Sequence, residues 1–302
     1  MLQVFRVTDG AVRRIEGGAA ELERHLQMLI EANMPEMLGM RFLAHEYSTG
    51  PLHRGRIDTL ALDEDGSPVI VEYKRTSTGS VLSQGLFYLA WLVEHRDEFE
   101  SLVADRLGED VGQIVDWSNP RVVCVATEFT RYDVVAADMA HHRIDLLVYQ
   151  QYAHDLVTLE LAASVAGGCS GRAARTGSSN RSDSGGRRGV RQSLDSAPAD
   201  LRTLFAELEE RLLDLGDGIC VELQHYLAFR RRRNFACVRA LRDALVVVLN
   251  VDPSTVELVP GWTRDLRGVG HLGTGDLEVR IADPSDLDRA RPLFEAAFAA
   301  AA

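Results

Sequence analysis

The amino-acid sequence predicts an α/β sandwich around a mixed sheet, followed by a small α+β domain. Three observations predict it. Residues 1–162 alternate segments of helical spacing with short runs of strand character. Residues 163–200 lose that periodicity and are dominated by Gly, Ser, Ala and Arg. From residue 201 ordered patterning returns in a different order of elements.

In the first segment, residues 4–7 (VFRV) and 11–15 (AVRRI) flank Asp9-Gly10 and read as a hairpin. Ala20 to Met34 has helical spacing, with Leu22, Leu26, Leu29 and Ile30 on one face. Three strands follow, Arg41 to Tyr47, Arg56 to Asp63 and Ser67 to Lys74, the last two joined by a turn at Asp65-Gly66. Val81 to Glu94 and Arg96 to Leu107 read as helices, Arg121 to Ala126 as a buried strand and Val134 to His141 as a helix. Ile144 to Tyr149 and Leu156 to Leu161 complete the sheet.

The stretch 163–200 reads as a flexible linker, because so long a structureless insertion does not suit the inside of one compact domain. In residues 201–302 a helix at Leu201 to Leu213 precedes strands at Ile219 to Glu222, Tyr226 to Arg230, Asn234 to Val238, Leu241 to Asn250 and Leu277 to Ile281. Pro284 to Ala300 closes the chain as a helix.

Composition narrows the function classes. Hydrophobic content of 46% supports full cores. No apolar run approaches the roughly 18 residues of a membrane span, and no secretory signal pattern opens the chain, so a soluble cytoplasmic protein is expected. Cys124, Cys169, Cys220 and Cys237 show no CxxC spacing, which argues for reduced thiols rather than zinc or redox chemistry. The net charge of −12 sits badly with a polyanionic ligand. Its excess lies in residues 1–162, with 26 acidic against 14 basic side chains. Of 33 basic residues, 32 are arginine, and Lys74 is the only lysine. A compact ammonium does what a planar guanidinium cannot, so the survivor invites a chemical explanation.

That lysine lies in GRIDTLALDEDGSPVIVEYKR, residues 55–75. Glu72 and Lys74 are two apart on one strand and share a face, and the turn at Asp65-Gly66 returns Asp58 beside them. Two carboxylates and an ammonium on one face suit metal-assisted phosphodiester hydrolysis. Asp58, Glu72 and the main-chain carbonyl of Tyr73 are oxygen ligands for Mg²⁺ or Mn²⁺, and Lys74 orients water or stabilises charge on phosphorus. The bland alternative is a solvated charged face on an amphipathic hairpin.

These residues sit in a context that resembles the PD-(D/E)xK nuclease superfamily, specifically the NucS-type endonuclease core. ERHLQMLIEANMPEMLG at 23–39, the hairpin just quoted and SQGLFYLAWL at 83–92 carry the resemblance, over about residues 20–162. It implies a restriction-endonuclease-like fold and a site lined by Glu23, Asp58, Glu72, Lys74, Gln84 and Tyr88. It also implies Mg²⁺ or Mn²⁺ as cofactor, DNA as partner, and a homodimer. NucS-type enzymes carry an N-terminal DNA-binding domain, whereas about 20 residues precede the core here.

Arg54, Arg56 and Arg75 flank the triplet as phosphate contacts or as balance for acidic neighbours. His53 reads as a surface residue rather than a ligand, Tyr132 and Asp133 as an edge of the cleft, and His141-His142 as a helix end. The C-terminal segment resembles an uncharacterised domain appended to many such proteins and often labelled a transport protein. Arg230, Arg231, Arg232 and Arg233 alternate with Tyr226, Phe229 and Phe235, a pattern that suits nucleic-acid contact or a charged turn. Trp262, Arg264, Arg267 and His271 lie in a loop with glycines 268, 270, 273 and 275, which admit a ligand or merely turn the chain. No nucleophile–base pair is visible there, so a DNA- or partner-binding module is expected. The sequence therefore predicts a metal-dependent DNA nuclease of repair or restriction. Its rivals are a non-catalytic nucleic-acid-binding protein on a nuclease fold and a transport-accessory or interaction protein.

Overall fold

Alternating burial along the strands separates two apolar layers on each of two sheets in a computed structural model of the chain. The structure describes residues 3–15, 17–18, 23–74, 81–112, 115–153, 155–166, 190–269 and 271–301. They form two units, Met1–Val165 and Ala166–Ala302.

The first unit opens with β1 (Val4–Thr8) and β2 (Ala11–Ile15), a separate two-stranded sheet, and the short β3 (Gly17–Gly18). Helices α1 (Glu23–Ala32) and α2 (Met34–Leu38) precede β4 (Arg41–Ser48), α3 (Gly50–His53), β5 (Arg56–Leu62) and β6 (Pro68–Lys74). Then come α4 (Val81–Glu94), α5 (Arg96–Leu107), α6 (Glu109–Gly112), β7 (Arg121–Ala126), α7 (Arg131–Met139), β8 (Arg143–Tyr152) and β9 (Leu156–Ala166). The main sheet runs β3-β8-β7-β6-β5-β4, with β9 on β8. β4, β5 and β6 are antiparallel, and β6, β7 and β8 parallel, so the sheet is mixed as expected.

Both faces are covered. Leu60, Ile70, Val122, Cys124, Ile144 and Leu146 pack with residues of α4 and α5. Ala61, Val69, Val71, Val123, Val125 and Tyr149 pack with Leu26, Ile30, Met34 and Leu38 of α1 and α2. Coverage on both sides explains why β7, read as RVVCVA, is buried at every position. The helix expected from Ala20 to Met34 is α1, which ends at Ala32, and a second short helix follows it. Pro35, with no N–H to donate, opens α2, and Gly39 at φ 68° ends it. α7 starts three residues before the expected Val134, because Thr130 and Asp133 form a capping box ahead of it.

The second unit contains α8 (Val190–Asp195), α9 (Ala199–Leu213), β10 (Ile219–Glu222), β11 (Leu227–Arg230), β12 (Asn234–Ala240) and β13 (Leu245–Leu249). β14 (Thr263–Asp265), β15 (Leu277–Ile281) and α10 (Pro284–Ala300) complete it. Its antiparallel sheet runs β10-β11-β12-β13-β15-β14, with Leu204, Leu208, Leu287 and Phe294 of α9 and α10 packed on one face. Order reaches into the 163–200 stretch from both sides: β9 continues to Ala166, and Leu194 of α8 is a core residue. Residues 167–189, including Cys169, lie outside the described residues, as do Arg75 and Gly270. Cys124, Cys220 and Cys237 are free thiols. No helix among the described residues is long and apolar enough to cross a membrane.

One buried ion network ties the site hairpin to the sheet. Asp63 Oδ1 accepts the N–H groups of Asp65 (2.9 Å) and Ser67 (3.0 Å) and so shapes the β5–β6 turn. Its Oδ2 pairs with Arg143 of β8 at 3.0 Å, where both side chains are 1% exposed. Removing one partner strands a buried charge. Arg143→Ala is expected to cost about 3–5 kcal/mol, read as a lower urea midpoint at unchanged m-value.

Candidate active site

Ladder pairing between β5 and β6 ends at Thr59↔Val71, and beyond that pair the strands separate. Two backbone donors lose their ladder partners there and are taken by side chains. The Asp58 N–H donates to Glu72 Oε1 at 3.2 Å, and the Tyr73 N–H donates to Asp58 Oδ2 at 3.0 Å. This reciprocal capping holds the two carboxyl groups against each other. Glu72 lies in register with Cys124 of β7, and Lys74 with Ala126, so Glu72 and Lys74 share the even-numbered face that meets α4.

Gln84 of α4 fixes the outer oxygen, its Nε2 donating to Glu72 Oε2 at 2.7 Å. The next residue explains the approach. A Cβ on Gly85 would lie 2.6 Å from Val122 Cγ1, so glycine lets α4 settle onto β7 with Gln84 in reach of Glu72. Glu72 is 1% exposed. Burial, and then the negative charge of Asp58, push its carboxyl up to about 9, against an opposing pull from the Lys74 ammonium. At neutral pH the isolated pair therefore holds a proton on Glu72.

Tyr88 plays a different part from the one its motif position suggests. Its hydroxyl accepts the Arg56 N–H at 3.0 Å, and its ring fills the space over Gly55, where a Cβ would meet Cε1 at 2.5 Å. Tyr88 thus locks the start of β5, the strand that carries Asp58. Tyr73 turns its phenol to the opposite face, into the layer beneath α1. Glu23 opens α1, but its side chain lies outside the described residues.

The other face holds a polar cluster absent from the sequence reading. Gln27, buried on α1, donates through Nε2 to the Asp58 carbonyl at 2.9 Å and to Glu31 Oε1 at 3.0 Å. Glu31 accepts the Thr59 hydroxyl at 2.5 Å and faces His45 Nδ1 at 2.9 Å. Asp58 is therefore held by its side chain from β6 and by its main chain from α1. The visible signal is a polar pair one turn apart, Gln27 and Glu31, beside Leu26 and Ile30 on a helix face that must be buried.

Other candidates separate into accessible and structural residues. Arg54 and Arg56 are exposed, and Arg56 pairs with Glu46 at 2.8 Å. His53 packs against Phe87 and His95, with ring centroids 6.1 Å away in each case. Asp133 is spent on the capping box of α7 rather than on a cleft edge, and Tyr132 lies under Arg131. His141, at φ 55°, follows the helix end as expected. Among the described residues no group of three or more His, Cys, Asp or Glu is gathered as a metal site.

In the second unit the arginine run is corrected most. Arg230 is 1% exposed, with Nη2 donating to the Arg232 carbonyl at 2.8 Å, so it is not a surface contact. A register shift at Phe229/Arg230 turns the guanidinium inward. Arg231 is bound to Asp217 at 2.6 Å and lies over Phe298. Phe229, Phe235 and Tyr226 are buried and offer no stacking face. Of the four arginines Arg232 is exposed, and Arg233 is half-buried. Trp262 lies beneath Arg289 at 3.7 Å, whereas Arg264 is exposed on β14. The glycine loop serves packing: a Cβ on Gly275 would lie 2.4 Å from the Leu249 carbonyl oxygen. Arg267 is engaged by Asp265 and Asp252, and His271 by the Val269 and Gly275 carbonyls.

Two outcomes follow from this geometry. The Glu72 carboxyl lies at about 9 in the fold against an ordinary 4.5, so in chelator-treated protein stability is highest below the lower value and falls as pH rises towards the upper one. Glu72→Gln is expected to flatten that fall and to stabilise the protein by roughly 3 kcal/mol at pH 7, measured by urea unfolding across the range. Gly85→Ala is expected to cost about 1–3 kcal/mol by overpacking, read as a lower urea midpoint.

Residues 190–301 match the model of a family described as a domain of unknown function, DUF5655. Over 303 residues the chain is 25% identical to a protein described as uncharacterised from Haemophilus influenzae (strain ATCC 51907 / DSM 11121 / KW20 / Rd), which covers 98% of this chain and 99% of that protein. A solved structure, "Structure of EndoMS-dsDNA2 complex", is 22% identical with a TM-score of 0.25. That match covers 45% of this chain and 50% of the other, so the chain spans half the length of the solved one.

Proposed function

We propose that the first unit is a metal-dependent DNA nuclease whose catalytic set is Asp58, Glu72 and Lys74. One observation carries the reading: where two strands part, half-buried Asp58 and buried Glu72 cap each other, and the only lysine of the chain shares the strand and face of Glu72.

The donor set fits a hard divalent cation. Asp58 and Glu72 are held together although their charges repel, and the fold tolerates this by keeping a proton on Glu72. A bound dication would favour the ionised form of both carboxyl groups and so would take over the role of that proton. Asp58, Glu72 and the Tyr73 carbonyl would hold Mg²⁺ or Mn²⁺, with water filling the remaining positions. Such an ion polarises the scissile phosphate and makes bound water acidic.

The remaining work belongs to this chain. Lys74 presents a charged amine on the same face, placed to orient the attacking water or to neutralise charge on the phosphate oxygens. Gln84 prevents Glu72 from rotating, and Gln27 prevents the Asp58 backbone from drifting. Tyr88 anchors the strand entry, and exposed Arg54 is placed to contact the nucleic-acid backbone. DNA as substrate, and repair or restriction of foreign DNA as the setting, rest on the resemblance to NucS-type endonuclease cores. The second unit fits a binding or targeting module, since no nucleophile–base pair is assembled among the loop residues singled out there.

The test is nicking of supercoiled plasmid with Mg²⁺ or Mn²⁺. Wild type is expected to cut, and Lys74→Ala to lose at least about 100-fold in rate. Lys74→Arg keeps charge but not a compact ammonium and is expected to lose most cleavage with an unchanged melting temperature. Wild type that binds but leaves single-stranded, duplex, flapped, mismatched and modified DNA intact with both metals overturns the nuclease and favours a non-catalytic DNA-binding protein.

A further inference from the structure

The β1–β2 hairpin is a sheet of its own, and all but Val4 and Ile15 of its strand residues are exposed. Its turn is built for a hairpin, with Asp9 and Gly10 both at positive φ, 50° and 81°. Two features of it are unfavourable in the free protein. An isolated two-stranded hairpin is marginal in water. In addition, Arg6 lies directly opposite Arg13, and like charges across a strand pair repel. The nearest acid, Asp155, is 3.6 Å from Arg6, with the two side chains 55% and 74% exposed, so solvent screens the pair. An anion laid across both guanidinium groups removes the repulsion and gives the hairpin something to fold against. Small residues, Thr8 and Ala11, continue the same face and leave close access to it.

Placement decides which anion. Only Glu16 separates β2 from β3, and β3 pairs Gly17 with Tyr152 and Gly18 with Gln151 of β8. Parallel register puts Val148 of β8 level with Ala126 and Lys74. Tyr152 is four residues further along, roughly 13 Å past the level of Lys74. β8 lies two strands from β6, roughly 10 Å away. The hairpin therefore leaves the sheet at the end that carries the candidate site, and beyond it. A two-stranded ribbon fits a DNA major groove, and its arginines reach the flanking phosphates.

We propose that the hairpin is a duplex-binding arm, with Arg6 and Arg13 taking backbone phosphates of the nucleic acid presented to Asp58, Glu72 and Lys74. The proposal rests on the nuclease reading and gives the acidic unit a projecting basic element on the side of the site.

The experiment is fluorescence anisotropy of a labelled blunt DNA duplex with the full chain in EDTA, over a salt series, for wild type and R6T/R13T. Threonine suits a strand and ends the repulsion, so the variant is expected to melt no lower than wild type. Loss of two phosphate contacts is expected to reduce the slope of log affinity against log salt by about 2, and to weaken binding about tenfold at low salt. Equal slope and affinity in the variant, with wild type binding well, overturn the arm and leave the nuclease reading intact. Wild type that does not bind duplex at any salt also overturns the arm, and plasmid nicking with Mg²⁺ or Mn²⁺ then decides the nuclease reading separately. Light scattering that shows wild-type oligomers dissociated by R6T/R13T overturns the arm in favour of an interface between copies of the chain.

Discussion

Asp58 and Glu72 cap each other's strands, and the arrangement of the first unit depends on that exchange. A ladder continued past Thr59↔Val71 would satisfy the backbone with backbone and leave the two side chains free to solvent. Ending it there leaves donors at Asp58 and Tyr73 that only side-chain oxygens can satisfy. The carboxyl groups are therefore fixed by hydrogen bonds the sheet cannot do without, which is a stronger constraint than packing alone. The cost is a pair of like charges with Glu72 buried, which burial and repulsion relieve by favouring a proton on Glu72.

Each layer of the sandwich contributes one clamp to that pair. From α4, Gln84 reaches Glu72 because Gly85 permits contact with Val122. From α1, Gln27 reaches the Asp58 carbonyl, backed by Glu31, Thr59 and His45. Tyr88 and Gly55 hold the entry to β5, while Asp63 and Arg143 hold the turn at its far end. The hairpin is thus pinned at both ends and from both faces. Such over-determination is what fixed side-chain geometry for catalysis requires.

Much of this was legible in the sequence, for identifiable reasons. A strand covered on both faces reads as an apolar run, as β7 does, and one with a single covered face reads as strict alternation, as β15 does, so the bounds of both are legible to the residue. The Asp58/Glu72/Lys74 convergence followed from a two-residue period and a turn at Asp65-Gly66, both purely local. What was not legible depends on contacts distant in sequence. The separation of β5 from β6 and the use of Gln27 require knowing where α1 packs. Arg230 looked like part of an exposed basic run, because nothing in RRRR announces the register shift that buries its first member. The aromatics beside it were misread for the same reason: strand alternation sends Phe229 and Phe235 to the core.

Charge is the remaining constraint on the nuclease reading. A chain of net −12 meeting a polyanion must suppress its acids near the site or place its cations selectively. Both are visible in the first unit. Asp63 and Asp145 are neutralised inside the sheet by Arg143 and Arg121, so their charges project little field. Glu31 is turned inward against Thr59 and His45, and burial beside Asp58 favours a proton on Glu72. Arg54 beside α3 and the Arg6–Arg13 pair on the hairpin are among the cations exposed at the surface of this unit. Overall charge therefore says little about the ligand of this unit, because most acids near the site are already paired with cations or hydrogen-bond donors.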